Sequence, residues 1–385
     1  MKKIIPYGKH NINRDDINSI VAALKSDFIT QGDCVPKFEK AICNYTKSKF
    51  AVACNSATSA LHIACKALNF KEGDILWTSP ISFVASSNCA LYLNGKVDFV
   101  DIDPSTFNLS IDSLKKKLKL ASKAGRLPKI LMPVHLGGLP SDMKEIKKLS
   151  KIYSFKIIED ASHAIGSRYN FHMTGDCTYS DACIFSFHPV KLMTTGEGGI
   201  VTTSSKKTYQ MLEKYRSHGI TKNPNQFKNP NKNLWYYEQQ ELGFNYRLTD
   251  FQAALGISQL NRLDKFIKKR QRIANWYKEL LLDIDCQLPI TETKSSISSL
   301  HLFIIRVKDR DKLFSYLRSH GILVNLHYIP IYMHPYYQEK FKFKATDFPK
   351  TEEYYKTAIS LPIYYDLTKS DVRKVSNLII NFFDK

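Results

Sequence analysis

Lys191 stands in a setting that suits covalent chemistry with a carbonyl compound. The stretch "FSFHPVKLMTTGEGG", from Phe185 to Gly199, is a strand-like apolar run, a proline, the lysine, and a turn rich in threonine and glycine. A protonated lysine, with an ordinary pKa of about 10.4, is a poor nucleophile. Beside a sheet edge and other cationic groups its pKa can fall, and the free amine can form a Schiff base.

A lysine of this kind serves pyridoxal phosphate enzymes when an anion accompanies it, to keep the pyridine nitrogen protonated. "KIIEDASHAIG" ends a parallel-type strand in Glu159 and Asp160, at the carboxyl end where α/β sheets place ligands. Asp160 precedes Lys191 by 31 residues, which is room for one hairpin-like excursion and a return strand. A strand-end aspartate is also a common helix cap, so this pattern alone leaves both roles open.

The same chemistry needs a phosphate cup, which backbone N–H groups at a helix start can provide. "CNSATSALHIA", from Cys54 to Ala64, is a strand end followed by small residues and a helical pattern. Its Ala57, Thr58 and Ser59 can present free N–H groups and hydroxyls. Small-residue helix starts are frequent, and this pattern alone is therefore weak evidence. The prediction depends on its occurrence together with Lys191.

The elements that position these residues alternate regularly. β-rich runs such as "FAVAC", "DILWTS" and "FKIIED" are each followed by helical patterns up to about residue 205, which predicts a βαβ sheet with helices on both faces. A long helical pattern follows, and the last hundred residues form a smaller α+β pattern. The sequence predicts an α/β fold with domains at 1–250 and 251–385.

Composition limits the function classes. With 56 lysines and arginines against 36 acidic residues, the net charge of +20 fits a nucleic-acid partner or small anionic substrates. The lysines are spread along the chain, and the densest run, "DSLKKKLKLASK", has leucines at helical spacing that indicate a solvated helix face. We therefore expect small anionic substrates and no nucleic acid.

The chain also predicts a location. No apolar run approaches the roughly 18 residues that span a membrane, and "MKKIIPYGKH" lacks a secretory signal. The eight cysteines form no CxxC pair, which favours free thiols in a reducing compartment. We expect a cytoplasmic protein with no membrane partner and no metal site.

These motifs together resemble the DegT/StrS sugar aminotransferases, which are fold-type-I pyridoxal phosphate enzymes. The resemblance runs over nearly the full length, from "IPYG" to "SLPIYYDLT", and is most specific in "FSFHPVK…TTGEGG" and "GFNYRL". It implies a large, mostly parallel-sheet domain and a smaller C-terminal α+β domain. "SDFITQG", "NSATSAL" and "HYIPIY" are most similar to the branch that serves pseudaminic acid biosynthesis.

The resemblance implies a role for individual residues. Lys191 would anchor the cofactor and act as the acid–base group, while Asp160 would pair with the pyridine nitrogen. The implied cofactor ligands are Thr58, Ser59, Phe83, His163, Ser186 and, from the neighbouring subunit, Asn245. The implied nucleotide-sugar ligands are Tyr7, Asp27, Thr30, Ala57, Ser186, Asn245, Arg247, His327, Tyr328 and Pro330. Packing roles stay open for His163, Phe83, His327 and Arg247, as does the role of His188.

The resemblance also implies the partners. L-Glutamate would donate the amine, pyridoxal 5'-phosphate would pass through pyridoxamine phosphate, and a UDP-linked 4-keto-6-deoxy sugar would accept the amine in a homodimer with shared active sites. A different nucleotide 4-keto-6-deoxy sugar is the main alternative. A dehydratase of this fold would have histidine in place of Lys191. A nucleic-acid-binding regulator would need a DNA-binding segment, and none is seen before the fold begins by residue 15.

Overall fold

Strands and helices alternate along residues 4–229 and 233–384, which are the residues that the computed structural model describes. The strands are β1 (Ile5–Pro6), β2 (Phe50–Cys54), β3 (Ile75–Thr78), β4 (Lys96–Phe99), β5 (Ile130–Met132), β6 (Lys156–Asp160), β7 (Arg168–Tyr169), β8 (His172–Met173), β9 (Ala182–Ser186), β10 (Gly199–Thr203), β11 (Ile220–Thr221), β12 (Glu238–Gln239), β13 (Cys286–Gln287), β14 (Ser296–Ile297), β15 (Phe303–Val307), β16 (Ile322–Leu323) and β17 (Ala358–Leu361). The α-helices are α1 (Arg14–Leu24), α2 (Cys34–Thr46), α3 (Ala57–Ala67), α4 (Ala85–Leu91), α5 (Ile111–Lys123), α6 (Met143–Tyr153), α7 (Lys206–Arg216), α8 (Asp250–Leu260), α9 (Leu263–Leu280), α10 (Arg310–Ser319), α11 (Pro335–Lys340), α12 (Pro349–Thr357) and α13 (Lys369–Phe383).

The main sheet has seven strands in the order β2-β10-β9-β6-β5-β3-β4. Six of them run in one direction, and β10 runs antiparallel between β2 and β9. Every residue of β9 and β10 is buried, as is typical of strands covered on both faces. The predicted α/β class with a mostly parallel sheet is confirmed.

The interval between Asp160 and Lys191 has the predicted course. β7 and β8 form an antiparallel hairpin, and the chain then returns in β9, parallel to β6, with Asp160 opposite Ile184. Because β9 and β10 are antiparallel neighbours, residues 187–198 form the loop that joins them, and Lys191 lies in it. The ends of β6 and β9 therefore present Asp160 and Lys191 at the same edge.

The C-terminal part forms a smaller antiparallel sheet, β13-β15-β17. It shares a core with α9, α10 and α13. β1 joins this side by pairing in parallel with β16, so the N-terminal segment crosses to the smaller unit. The division at residue 250 remains a proposal: Ala253 and Leu260 of α8 pack in the same cluster as Phe38 and Phe185 of the sheet side.

Two further observations concern membrane-spanning helices and cysteines. Among the described residues, no helix combines the length and apolar character needed to cross a bilayer. All eight cysteines are free, and those other than Cys34 and Cys286 are buried.

Candidate active site

A cavity of about 520 Å³ lies at the carboxyl ends of β6 and β9. It brings together most of the residues that the sequence singles out. Those lining it are Tyr7, Ala57, Thr58, Phe83, Asp160, His163, Ser186, Lys191, His327 and Tyr328. Ser59, Asp27, Thr30, Asn245, Arg247 and Pro330 lie outside this lining.

Lys191 is held by the loop between β9 and β10. Its backbone N–H donates to the carbonyl of His188 at 2.9 Å, and the next two side chains, Leu192 and Met193, are buried in the core. Burial lowers the pKa of the Lys191 amine to about 8, while the charge of Asp160 acts in the opposite direction. An appreciable fraction of the amine is therefore unprotonated near neutral pH.

Asp160 is fixed by two serines that the sequence reasoning missed. Its Oδ1 accepts the N–H and O–H of Ser162 at 3.2 and 2.6 Å. Its Oδ2 accepts the O–H of Ser86, on α4, at 2.5 Å. Three donors thus set the orientation of the carboxylate at the cavity wall. Ser162 lies two residues from Asp160 in "EDAS", but nothing local marks Ser86, which is 74 residues away in sequence.

The first turn of α3 is the predicted phosphate cup. The side chain of Ser56 caps this helix, and the N–H groups of Ala57 and Thr58, in its first turn, have no intrahelical partner. Gly199 packs directly on this turn, and a Cβ there would lie 2.4 Å from the nitrogen of Ala57. Ser186 pairs with Gly199 across β9 and β10. Free N–H groups at a helix start beside a hydroxyl suit a phosphate.

Ser59, a predicted cofactor ligand, lies outside the lining of the cavity. Its hydroxyl donates to Asn55 Oδ1 at 2.6 Å and lies 2.9 Å from Ser56 Oγ. The side chain is buried in the capping network of α3, so the structure does not bring it to the cavity. Helix geometry explains this, since Ser59 is the third helical residue and its own N–H is bound by Ser56.

Four histidines line the cavity. His163 and His327 were predicted ligands, the role of His188 was left open, and His301 was missed. Burial, followed by the charge of Lys191, lowers the pKa of His163 well below its ordinary value and that of His327 to about 3. Burial raises the pKa of Tyr328. These groups are uncharged at neutral pH, and the lysine and the aspartate supply the charge at the edge of β6 and β9.

Four of the predicted residues that lie outside the cavity form a separate group, namely Asp27, Thr30, Asn245 and Arg247. Thr30 bridges to Thr249, and the carboxylate of Asp250 accepts the N–H groups of Gly32 and Cys34, both at 2.8 Å. Arg247 donates to Ser217 Oγ at 3.0 Å. The segment carrying Asp27 and Thr30 is thereby tied to the loop carrying Asn245 and Arg247. Pro330 is buried just beyond Tyr328. The ligand roles of these residues stay predictions.

Comparison with known proteins decides the family. A model of the DegT/DnrJ/EryC1/StrS aminotransferase family matches residues 10–380. The chain belongs to this family. Its fold is that of the solved aminotransferases, and the predicted aminotransferase activity is confirmed at this level.

Two relatives cover almost the whole chain. A Campylobacter jejuni protein named UDP-4-amino-4,6-dideoxy-N-acetyl-beta-L-altrosamine transaminase is 36% identical over 387 residues, which is 99% of this chain and 98% of the relative. The structure of Helicobacter pylori PseC, an aminotransferase involved in the biosynthesis of pseudoaminic acid, matches with a TM-score of 0.90 at 29% identity, over 99% of this chain and 100% of that one.

A third match is a structure in its pyridoxamine phosphate (PMP) form. The PMP form of a putative sugar aminotransferase, Spr1654 from Streptococcus pneumoniae, has a TM-score of 0.89 at 26% identity, with 99% of each chain covered.

Proposed function

We propose that this aminotransferase moves an amino group from L-glutamate to the 4-keto group of a UDP-linked 2-acetamido-2,6-dideoxy-4-hexulose. The product would be UDP-4-amino-4,6-dideoxy-N-acetyl-β-L-altrosamine, in the pseudaminic acid pathway. The observation that carries the chemistry is the pairing of Lys191, with its lowered pKa, and Asp160 at one cavity edge. The names of the Campylobacter and Helicobacter relatives support the choice of sugar.

The residues of the cavity fit pyridoxal 5'-phosphate. Lys191 would hold its carbonyl carbon, Asp160 its ring nitrogen, and the N–H groups of Ala57 and Thr58 with the hydroxyl of Ser186 its phosphate. Phe83 lines the cavity with its side chain 59% exposed, so its ring face is available for stacking. When bound, the cofactor supplies an electron sink and carries the amine, as pyridoxamine phosphate, from one substrate to the other.

The chain itself performs the proton transfers. Lys191 Nζ, unprotonated in part near neutral pH, would take a proton from the carbon that bears the donor amine and deliver it to the cofactor carbon that receives the amine. Asp160 is held by Ser86 and Ser162, so its negative charge faces the cavity without rearrangement. In the second half-reaction the proton transfer by Lys191 would run in the opposite direction, and the amine would pass to the keto carbon of the sugar.

A substrate panel tests this function. The purified enzyme should be yellow, and borohydride should fix the cofactor on a peptide that contains Lys191. Incubation with glutamate and a set of UDP-4-keto sugars, with product stereochemistry determined by NMR, should give the altrosamine product. Turnover of only another nucleotide sugar would refute the substrate, and label on another lysine would refute the site. Nucleic acid that stays bound at high salt would favour a regulator.

We further propose a homodimer in which Asn245 and Arg247 serve the partner's site. Support comes from their position outside their own cavity, on a surface that also carries Asp27 and Thr30. A Lys191→Ala chain and an Asn245→Ala/Arg247→Ala chain should each be poor alone. Mixed under subunit exchange, they should recover up to about half of wild-type activity per mixed dimer, since one site then has no defect.

A matched control separates sharing from nonspecific rescue. Lys191 and Asp160 line one cavity in one chain, so mixing Lys191→Ala with Asp160→Asn should restore nothing. Exchange itself would be verified by pull-down of differently tagged chains. Proven exchange without recovery in the first mixture contradicts the shared site.

A further inference from the structure

His301 lies on the cavity wall without a role in the chemistry described so far. Its side chain is only 3% exposed, and its ring centroid lies 4.3 Å from that of His163, with the planes inclined by 48°. Its Nδ1 is buried and has no hydrogen-bond partner among the described residues. The contact with His163 is therefore the main interaction of this imidazole.

The hydrogen bonds of His163 define its tautomer. The backbone N–H of Gly137 lies 3.3 Å from Nδ1, and an N–H can only donate, so Nδ1 accepts. A neutral ring then carries its proton on Nε2, which lies 3.0 Å from Tyr328 Oη. His163 thus donates to Tyr328. The hydroxyl proton of Tyr328 remains available, and because this residue lines the cavity, an oxygen of a bound substrate can accept it.

Protonation of His163 would abolish this arrangement, because Nδ1–H would face the N–H of Gly137. The ring of His301 packs against this imidazole at an angle of 48°, and Arg270 donates to the backbone carbonyl of His301 at 3.1 Å. Burial in this position lowers the pKa of both imidazoles. The other titratable groups that line the cavity are Tyr7, Asp160, His188, Lys191, Glu197, His327 and Tyr328.

We propose that His301 is a positioning residue: its ring excludes water from His163 and so keeps that imidazole in the tautomer that directs the Tyr328 hydroxyl proton to a substrate oxygen. The inference rests on the proposed function, because it assigns the acceptor to a substrate bound beside Lys191. It requires the shape of the His301 ring and not its nitrogens.

Two substitutions separate these requirements. In His301→Ala, water reaches His163, and a return of its pKa to about 6.5 leaves about one-tenth of the ring neutral at pH 5.5. The kcat of His301→Ala relative to wild type should therefore fall about tenfold between pH 8 and pH 5.5, with little change in KM. His301→Phe keeps an aromatic ring on His163, and its ratio to wild type should stay level over this range.

Each alternative gives a different result. A level ratio for His301→Ala overturns the proposal, because His163 would then be insensitive to the ring. An equal loss in both variants also overturns it, because the nitrogens of His301 would then bind the ligand directly. A fall in thermal stability with an unchanged pH profile indicates a packing role alone and contradicts the proposal.

A measurement without substrate distinguishes this proposal from the proposed function. In holoenzyme labelled with ¹⁵N-histidine, with His163 assigned through His163→Gln, the wild-type ring should stay neutral and Nε2-protonated through the mildly acidic range. In His301→Ala it should titrate near its ordinary value. A wild-type His163 that carries its proton on Nδ1, or that titrates near its ordinary value, overturns the inference even if the alanine variant does not fold.

Discussion

The acidity of Lys191 can be measured directly in the protein freed of cofactor. Burial moves the pKa of this amine from 10.5 to about 8. At pH 7 about one amine in ten would then be unprotonated, against about one in 3,000 for an ordinary lysine, which is a difference of about 300-fold in reactive amine. The shift corresponds to about 3 kcal/mol against the charged form.

Competitive acetylation with trace acetic anhydride, followed by mass spectrometry of the Lys191 peptide, gives the titration midpoint. This midpoint should lie about 2.5 pH units below that of the surface lysines. Asp160→Asn removes a charge that raises the pKa, so the midpoint should move further down. Ser162→Ala keeps the charge of Asp160 and should leave the titration midpoint of Lys191 unchanged. A wild-type midpoint near that of the surface lysines, or an upward move in Asp160→Asn, would refute the electrostatic account.

Three other substitutions test separate parts of the site. Asp160→Asn keeps the shape and loses the charge, so kcat should fall at least about a hundredfold, or about 2.7 kcal/mol of barrier; near-normal turnover removes Asp160 from the mechanism. Lys191→Met should raise the unfolding free energy of the cofactor-free protein at pH 7 by up to about 3 kcal/mol. Because the folded pKa lies below the unfolded one, this gain should shrink as pH rises from about 8 towards 10.5, and a gain that grows with pH contradicts it. Gly199→Ala places a methyl group 2.4 Å from the nitrogen of Ala57, so pyridoxal phosphate should be lost on gel filtration, and full retention would contradict the cup.

Local patterns predicted the parts of the site that lie at element ends. β6 ends at Asp160, and α3 begins at Ala57, because strand alternation and a capping serine are written in adjacent residues. The lysine follows for the same reason, since its loop joins two apolar strands that the sequence displays plainly.

Contacts between distant segments were not predictable in this way. Ser86 meets Asp160 only because the first turn of α4, a helix that packs on β3 and β4, reaches the end of β6. His301 meets His163 across 138 residues of chain. The hydroxyl of Ser59 bonds to Asn55 because capping geometry, and not residue type, decides which hydroxyls of a helix start are free, and its role as a cofactor ligand stays a prediction. The division of the chain at residue 250 stays a proposal, because α8, which begins at Asp250, packs in one cluster with residues of the main sheet.

The crossing of the N-terminal segment to the smaller unit has a consequence for synthesis on the ribosome. Tyr7 reaches the cavity only when β1 has paired with β16, and His327 and Tyr328 follow that strand directly. The main sheet can assemble earlier, from residues 50–203, but these three residues are then missing from the lining of the cavity. The part of the cavity assigned to the nucleotide sugar is therefore completed late, after most of the chain has emerged, whereas Lys191, Asp160 and the first turn of α3, which would hold the cofactor, belong to the part that can form first.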